Sequence, residues 1–239
     1  MSTQRTAIVT GGSRGFGFEL ARALAADGWI VVIDGRSALD VRAAAAALGP
    51  AVVPVPGDIT DSSHRATLVS QATASGSLEL VVNNASVLGP SPQPALADYP
   101  LDVLQHVYDV NVVAALAVVQ LALPALRRNG GTVVNVTSDA GVEGYPGWGG
   151  YGSSKAALEQ ASNVLAAEEP ELRVYWFDPG DMRTQMHQEA FPGEDISDRP
   201  LPETVVPALL RLLGSGAPSG RYRAATVDGD ARLTAGAVS

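Results

Sequence analysis

The sequence predicts an α/β fold: a single domain built on a doubly wound, mostly parallel sheet with helices on both faces. Three observations carry this. Short β-branched runs alternate with Ala/Leu-rich segments of helical length. The runs are apolar throughout instead of alternating with polar residues, as strands buried on both faces are. A glycine-rich turn joins the first run to the first helical segment.

The predicted strands are Ala7–Val9, Ile30–Ile33, Val52–Val55, Leu80–Val82, Thr132–Val136 and Val174–Phe177. Helices are predicted between them at Gly15–Asp27, Leu39–Leu48, Ser62–Ser75, Leu101–Arg128, Tyr151–Glu168 and Glu203–Leu213. Pro202 opens the last, its fixed φ suiting a first helical turn. Stretches 86–94, 139–150 and 185–201 contain Gly, Pro and Ser and are expected to be mobile loops at the site. No repeat or low-complexity linker interrupts residues 1–239, so the chain reads as one domain.

With 239 residues, 46% hydrophobic and 17% charged, the chain can bury one sizeable core. The formal charge of −9 argues against a nucleic-acid partner, whose phosphates call for clustered Lys and Arg. The absence of cysteine removes disulfides and thiolate metal sites and fits a reducing compartment. His64, His106 and His187 are not spaced as ligand pairs, so no metal is expected. The first apolar run turns at Gly11-Gly12, too early for a signal-peptide core. The apolar stretch Val112–Leu126 is interrupted by Gln120 and Pro124 and is too short to span a bilayer. A soluble, cytoplasmic protein with no membrane partner is expected.

Directly after the first strand comes Thr10-Gly11-Gly12-Ser13-Arg14-Gly15-Phe16-Gly17. Glycine in a strand-to-helix turn allows tight backbone geometry and close approach of a pyrophosphate to the helix N-terminus, where unpaired N–H groups favour negative charge. This makes the fold Rossmann-like and predicts a dinucleotide site. At the end of the second strand stand Asp34-Gly35-Arg36. Arginine there neutralises a ribose 2′-phosphate, whereas an acidic residue hydrogen-bonds a 2′-hydroxyl. Arg36 and Arg14 favour NADP(H), and Asp34 keeps NAD(H) as the alternative. Asp58-Ile59 and Asn84-Ala85 follow the third and fourth strands, at carboxyl ends where an open sheet binds ligands.

Tyr151 and Lys155 are four residues apart, and Ser138 lies thirteen before Tyr151. Positions i and i+4 share a helix face, so the Lys155 ammonium can lie beside the Tyr151 phenol. A phenol titrates at about 10, and bringing it to about 7 requires roughly 4 kcal/mol in favour of the phenolate. A cation about 4 Å away at an effective dielectric near 20 supplies about that much, with burial offsetting part of it. Taken alone, the pair fits a surface helix with a solvated lysine just as well.

Together these residues resemble the classical short-chain dehydrogenase/reductase family. Residues 10–17 resemble its Thr-Gly-x3-Gly-x-Gly turn, and Asn83-Asn84-Ala85 its Asn-Asn-Ala motif, with Ser86 in place of the usual glycine. Asn111 is similar to its helix asparagine, and Ser138, Tyr151 and Lys155 take its catalytic positions. Pro179-Gly180 through Thr184 resembles the segment that meets the nicotinamide. Val227-Asp228-Gly229 resembles its late strand and turn, with Asp230 where a second glycine is common. Measured against the glycine turn, the family's NAD-selecting acidic position falls on Gly35. The resemblance implies hydride transfer between a nicotinamide and a carbonyl or carbinol carbon. Ser138 then holds the substrate oxygen, Tyr151 acts as acid and base, Lys155 as pKa modulator and ribose ligand, and Asn111 in a proton path. A non-catalytic dinucleotide-binding module on the same fold is the alternative in a different class.

The substrate pocket is expected among Val87, Tyr145, Trp148, Met186, His187 and Phe191, an apolar and aromatic set suited to a small or medium, partly apolar ketone or alcohol. The same side chains also suit a satellite core. Asp139, beside Ser138, is either a substrate contact or a solvated turn residue. Ala157, Ala161, Val164 and Leu165 form a small, apolar helix face that predicts a homodimer or homotetramer, or packing on the sheet.

Overall fold

The structure, a computed structural model, describes residues 4–227. Strands β1 (Arg5–Val9), β2 (Ile30–Gly35), β3 (Val52–Pro56), β4 (Ser77–Asn83), β5 (Thr132–Val136), β6 (Arg173–Asp178) and β7 (Gly220–Arg223) form one sheet in the order β3-β2-β1-β4-β5-β6-β7. All six pairings are parallel. Strand order reverses between β1 and β4, which places a crevice at their carboxyl ends, where open α/β sheets take ligands.

Period-two alternation divides each apolar strand between two cores. Ala7, Val9, Val31, Ile33, Val134, Val136 and Phe177 face α1 (Gly15–Ala26), α2 (Ala38–Leu48) and α8 (Pro202–Ser215). Ile8, Val32, Val81, Val133 and Val174 face α3 (Ser62–Ser75), the helical run 101–129 and the late part of α6 (Gly149–Glu168). Leu165 belongs to this second core, 8% exposed, so it packs on the sheet and leaves the outward face of α6 to Ala157, Ala161 and Val164.

The run predicted as one helix over Leu101–Arg128 consists of α4 (Leu101–Tyr108), a π-helical segment Asp109–Ala114 and α5 (Ala115–Asn129). The combined run 101–129 is long and apolar enough to cross a membrane by length and composition alone, whereas the sequence-based reading concerned only Val112–Leu126. Half of its most apolar window is buried in the second core, as in a core helix.

Three further differences concern the ends of elements. The seventh strand is Gly220–Arg223, ahead of the predicted position, and Val227 ends the short helix α9 (Ala224–Val227); Asp228, Gly229 and Asp230 lie outside the described residues. Stretch 185–201, expected to be loop, begins with helix α7 (Gln185–Ala190), whose N-cap Thr184 accepts from the His187 N–H at 3.2 Å. Helix α6 starts at Gly149, two residues before the predicted start, and its Gly150 and Gly152 let Tyr99 and the Ala140 carbonyl approach where a Cβ would collide.

Candidate active site

Gly11 and Gly15 have φ of 64° and 57°, a region open to glycine. A Cβ at Gly11 would meet Ala85 Cα at 2.9 Å, and one at Gly17 would meet Asn84 Nδ2 at 2.5 Å. The turn is therefore clasped to the end of β4. Thr10 Oγ1 accepts from the N–H groups of Asn84 and Ala85, both at 3.0 Å. Asn84 Nδ2 donates to the Thr10 and Gly11 carbonyls at 2.9 and 3.2 Å. No side chain caps the N-terminus of α1, which leaves its first-turn N–H groups facing the crevice without a side-chain acceptor. Phe16 turns inward, stacking on Phe177 with centroids 6.2 Å apart. Gly17 does not line the crevice; its missing Cβ admits Asn84.

Asp34 is 1% exposed, and both its oxygens are engaged. Oδ1 accepts from the Gly11 N–H at 2.6 Å, and Oδ2 lies 3.0 Å from Nε2 of buried His64 on α3. Gly57 is where the ring passes, since a Cβ there would collide with it. Asp34 borders the cavity but braces the glycine turn, with both carboxylate oxygens engaged by protein groups. Gly35 and Arg36 open onto the cavity. Arg14 departs from its expected place beside Arg36: Nη1 donates to Gln185 Oε1 on α7 at 2.6 Å. Asp58 forms a local turn with Thr60, whose N–H and hydroxyl donate at 2.9 and 2.8 Å. Those bonds hold its carboxyl below the usual range, with smaller help from Arg36.

At the other end of the same cavity, of about 1260 Å³, Ser138, Tyr151 and Lys155 converge. Tyr151 is 8% and Lys155 2% exposed. Lys155 Nζ donates to the Val136 carbonyl at 2.8 Å and lies 5.3 Å from the Tyr151 ring centroid. Burial pushes Lys155 down to about 8, opposed by Glu159. Burial also pushes Tyr151 above the ordinary phenol range, aided by Asp178 and Asp139, while hydrogen bonds from Ser86 and Ser138 pull it the other way. Burial therefore outweighs the two hydrogen bonds that favour the phenolate, and the i, i+4 spacing of Lys155 does not by itself make the phenol acidic. Ser138 Oγ donates to Asp139 Oδ1 at 3.0 Å and accepts from the Ala140 N–H at 3.2 Å, capping a turn of 3-10 helix.

Asn111 sits in the π-helical segment, 1% exposed, behind the cavity wall. Its Oδ1 accepts from the Val87 N–H at 2.9 Å and Ser86 Oγ at 3.1 Å; its Nδ2 donates to the Val87 carbonyl and Ser154 Oγ at 3.0 and 2.9 Å. It anchors loop 86–88 to α6. Ser86, the departure from the glycine usual after Asn-Asn-Ala, thereby joins Asn111 to the neighbourhood of the Tyr151 hydroxyl. Its position in the motif was visible, but not that its hydroxyl reaches both.

Of the expected pocket residues, Val87, Trp148, Met186 and His187 line the cavity, as do Pro179, Gly180 and Thr184. Trp148 meets Tyr151 edge-on at 5.8 Å. Phe191 packs behind the wall against Trp148 and His187, with centroids 5.8 and 4.9 Å away. Tyr145 is exposed and turned outward: its hydroxyl donates towards Glu143 and Asp139 at 3.0 and 3.2 Å, which pushes it up to about 12, the Glu143 bond contributing most. Neither Phe191 nor Tyr145 forms part of the cavity wall, because short helix α7 and the 3-10 turn carry them past it.

The short chain dehydrogenase family model matches residues 5–195. An uncharacterized oxidoreductase of Escherichia coli K12, YciK, is 34% identical over 219 residues, covering 88% of this chain and 86% of the relative. A short chain dehydrogenase of Shigella flexneri 2a strain 301, solved in complex with NADP, superposes with a TM-score of 0.85 at 31% identity, over 92% of this chain and 97% of that one. One from E. coli CFT073, solved with NADPH, gives 0.85 at 32% identity over 92% and 96%.

The buried ammonium has a measurable cost. A lysine whose folded pKa lies below its unfolded value binds fewer protons when folded, so stability rises with pH from about 8 towards the unfolded value near 10.5. Lys155→Met should therefore stabilise the cofactor-free protein at pH 7 by roughly 1 to 2 kcal/mol, less than the shift alone implies because Val136 loses its donor. Urea unfolding should show this gain shrinking as pH is raised above 8. A pH-independent difference would contradict burial of a charged lysine.

Proposed function

The chain belongs to the short chain dehydrogenase family, and from that premise we propose that it is an NADP(H)-dependent oxidoreductase interconverting a small or medium, partly apolar ketone and secondary alcohol. The observation that carries this reading is the buried Tyr151–Lys155 pair meeting Ser138 in the same cavity as an uncapped glycine turn. The turn fits a pyrophosphate: its left-handed glycines and the α1 N–H groups form a cradle that side chains at those positions would fill. In this reading Gly11, Ser13, Arg14, Gly15 and Phe16 hold the diphosphate side, with Gly17 admitting Asn84. Arg36 takes a 2′-phosphate, Asp58 and Ile59 border the adenine side, and Asn84 and Ala85 border the adjoining ribose. Pro179, Gly180 and Thr184 border the nicotinamide, which when bound supplies or accepts the hydride. The engagement of Asp34 with Gly11 and His64 supports NADP(H) over NAD(H), because it removes the one acidic acceptor at the end of β2.

Ser138 holds the substrate oxygen and orients it towards the Tyr151 hydroxyl. Tyr151 donates a proton to that oxygen in reduction and removes it in oxidation. Lys155 supplies positive charge beneath the phenol and hydroxyl-binding capacity at the ribose. Asn111 fixes loop 86–88, and its contact with Ser86 extends a polar path away from Tyr151. Val87, Trp148 and Met186 give the substrate end its apolar walls, which supports a partly apolar carbonyl compound. The chain acts as one domain and associates as a homodimer or homotetramer. Support for association comes from Val113, Leu116, Leu121 and Val164, exposed by 39 to 54% on the helical face formed by 109–129 and α6.

Tyr151→Phe should lower kcat roughly 10²- to 10⁴-fold on a panel of ketones while leaving NADPH affinity unchanged by fluorescence titration. Near-normal turnover would contradict the assignment. Arg36→Gln should weaken NADPH about 10- to 100-fold and NADH little, and equal losses would reject 2′-phosphate recognition. Light scattering should give the mass of two or four chains; a monomer at working concentration would rule out the association.

A further inference from the structure

Beside the catalytic residues, with Asp178 and Ser138 at the cavity wall, lies a charge cluster built from three elements. Arg221 on β7 donates through Nε to Glu159 Oε1 at 3.0 Å and through Nη2 to Asp178 Oδ2 at 3.2 Å and the Ser138 carbonyl at 3.2 Å. Glu159 stands on α6 four residues after Lys155 and also accepts from Thr137 Oγ1 at 2.6 Å. Asp178 ends β6, accepts from Arg223 Nε at 3.2 Å, and holds the Gly180 N–H at 2.9 Å in the turn that borders the proposed nicotinamide site. The side chains of Glu159, Asp178 and Arg221 are 11, 3 and 22% exposed, so their mutual screening by water is limited.

Two carboxylates facing two guanidiniums leave this cluster neutral. Without Arg221 it would carry one net negative charge. Glu159 would keep only a hydroxyl donor, whereas Asp178 would still have Arg223 and Gly180. Ser138 would lose little of its position, because its carbonyl also accepts from the Gly141 N–H at 3.1 Å. The consequence of losing Arg221 is therefore chiefly electrostatic. We propose that Arg221 is a positioning residue for proton transfer: its guanidinium ties β7 to Ser138, Glu159 and Asp178 and cancels the negative charge that would otherwise stand behind the phenol of Tyr151. This rests on the reading of Tyr151 as acid and base.

The charged groups around Tyr151 set the direction of the effect. Lys155 and Glu159 approach on α6, Asp178 at the end of β6, Asp139 from the 3-10 turn, Arg221 and Arg223 from β7, and Asp181 and His187 across the cavity. Removing one positive charge from this set disfavours the phenolate, so Tyr151 titrates higher. For oxidation, activity appears as pH rises through that titration; for reduction, it is lost as pH rises through it. Both limbs must move to higher pH together.

The test is the pH dependence of kcat for NADP⁺-dependent oxidation of an alcohol accepted by the wild-type enzyme. Arg221→Met should move the rising limb up by about 0.5 to 1 unit. Arg221→Lys, which keeps the charge, should restore most of that shift, and Glu159→Gln, which removes a negative charge, should move the limb down. A lower rate with all limbs unmoved would overturn the proposal, as would an Arg221→Lys profile equal to that of Arg221→Met. If Arg221→Met does not fold, a lowered limb in Glu159→Gln beside a near-wild-type limb in Arg221→Lys supports the proposal, and an unmoved limb in Glu159→Gln overturns it. Absence of any turnover by the wild-type enzyme, or normal turnover by Tyr151→Phe, would fail the proton-transfer reading itself and is distinguishable from failure of the Arg221 proposal.

Discussion

The burial of one ammonium group constrains the rest of the site. Lys155 is 2% exposed, and among the described residues its ammonium has one hydrogen-bond acceptor, the carbonyl of Val136, the last residue of β5. Removing a cation from water costs far more than one hydrogen bond returns, so the arrangement persists only because the surrounding elements are fixed independently of it. The sheet, the α6 packing and the Glu159–Arg221–Asp178 cluster supply that framework. Lys155 then lies over the Tyr151 ring as a charge held against its own preference for solvent, which is the arrangement needed to act on a phenol that burial makes reluctant to ionise.

The same logic recurs at the glycine turn. There the buried carboxylate of Asp34 is compensated by the Gly11 N–H and the His64 ring, and the turn is pinned from above by Thr10 and Asn84. Both ends of the cavity thus rest on buried polar groups whose partners come from different strands, and the switch in strand order between β1 and β4 opens the space between them. A cavity of about 1260 Å³ running from Arg36 to Trp148 gives room for a dinucleotide and a modest substrate side by side.

Much of this was legible in the sequence because it is local. The six apolar strands, the glycine turn and the i, i+4 pairing of Tyr151 with Lys155 are patterns within a few residues, and each appears where the pattern puts it. What escaped is non-local or locally disguised. Strand β7, Gly-Arg-Tyr-Arg, is a polar edge strand whose arginines face carboxylates 43 to 62 residues away, so neither its strand character nor its role shows in a window. The His64–Asp34 pairing spans 30 residues, which is why the sequence leaves Asp34 open as a ribose ligand in the NAD(H) alternative. Helix α7 is six residues long, too short for a periodic signal, and it alone decides that Met186 and His187 reach the cavity while Phe191 packs behind them.

The central claim is that burial holds Tyr151 un-ionised and that positive charge brought beside it releases its proton, and tyrosine ring-carbon NMR tests it most directly. With ¹³C at the ring carbon bearing the hydroxyl, and Tyr151 assigned by its absence in Tyr151→Phe, the free protein should show this tyrosine un-ionised throughout the range in which the fold is stable. With NADP⁺ saturating the site, its titration should fall well below that of the free protein, towards the pH at which alcohol oxidation begins. A Tyr151 resonance that titrates like an exposed phenol in the free protein, or that does not move on saturation, would contradict the account.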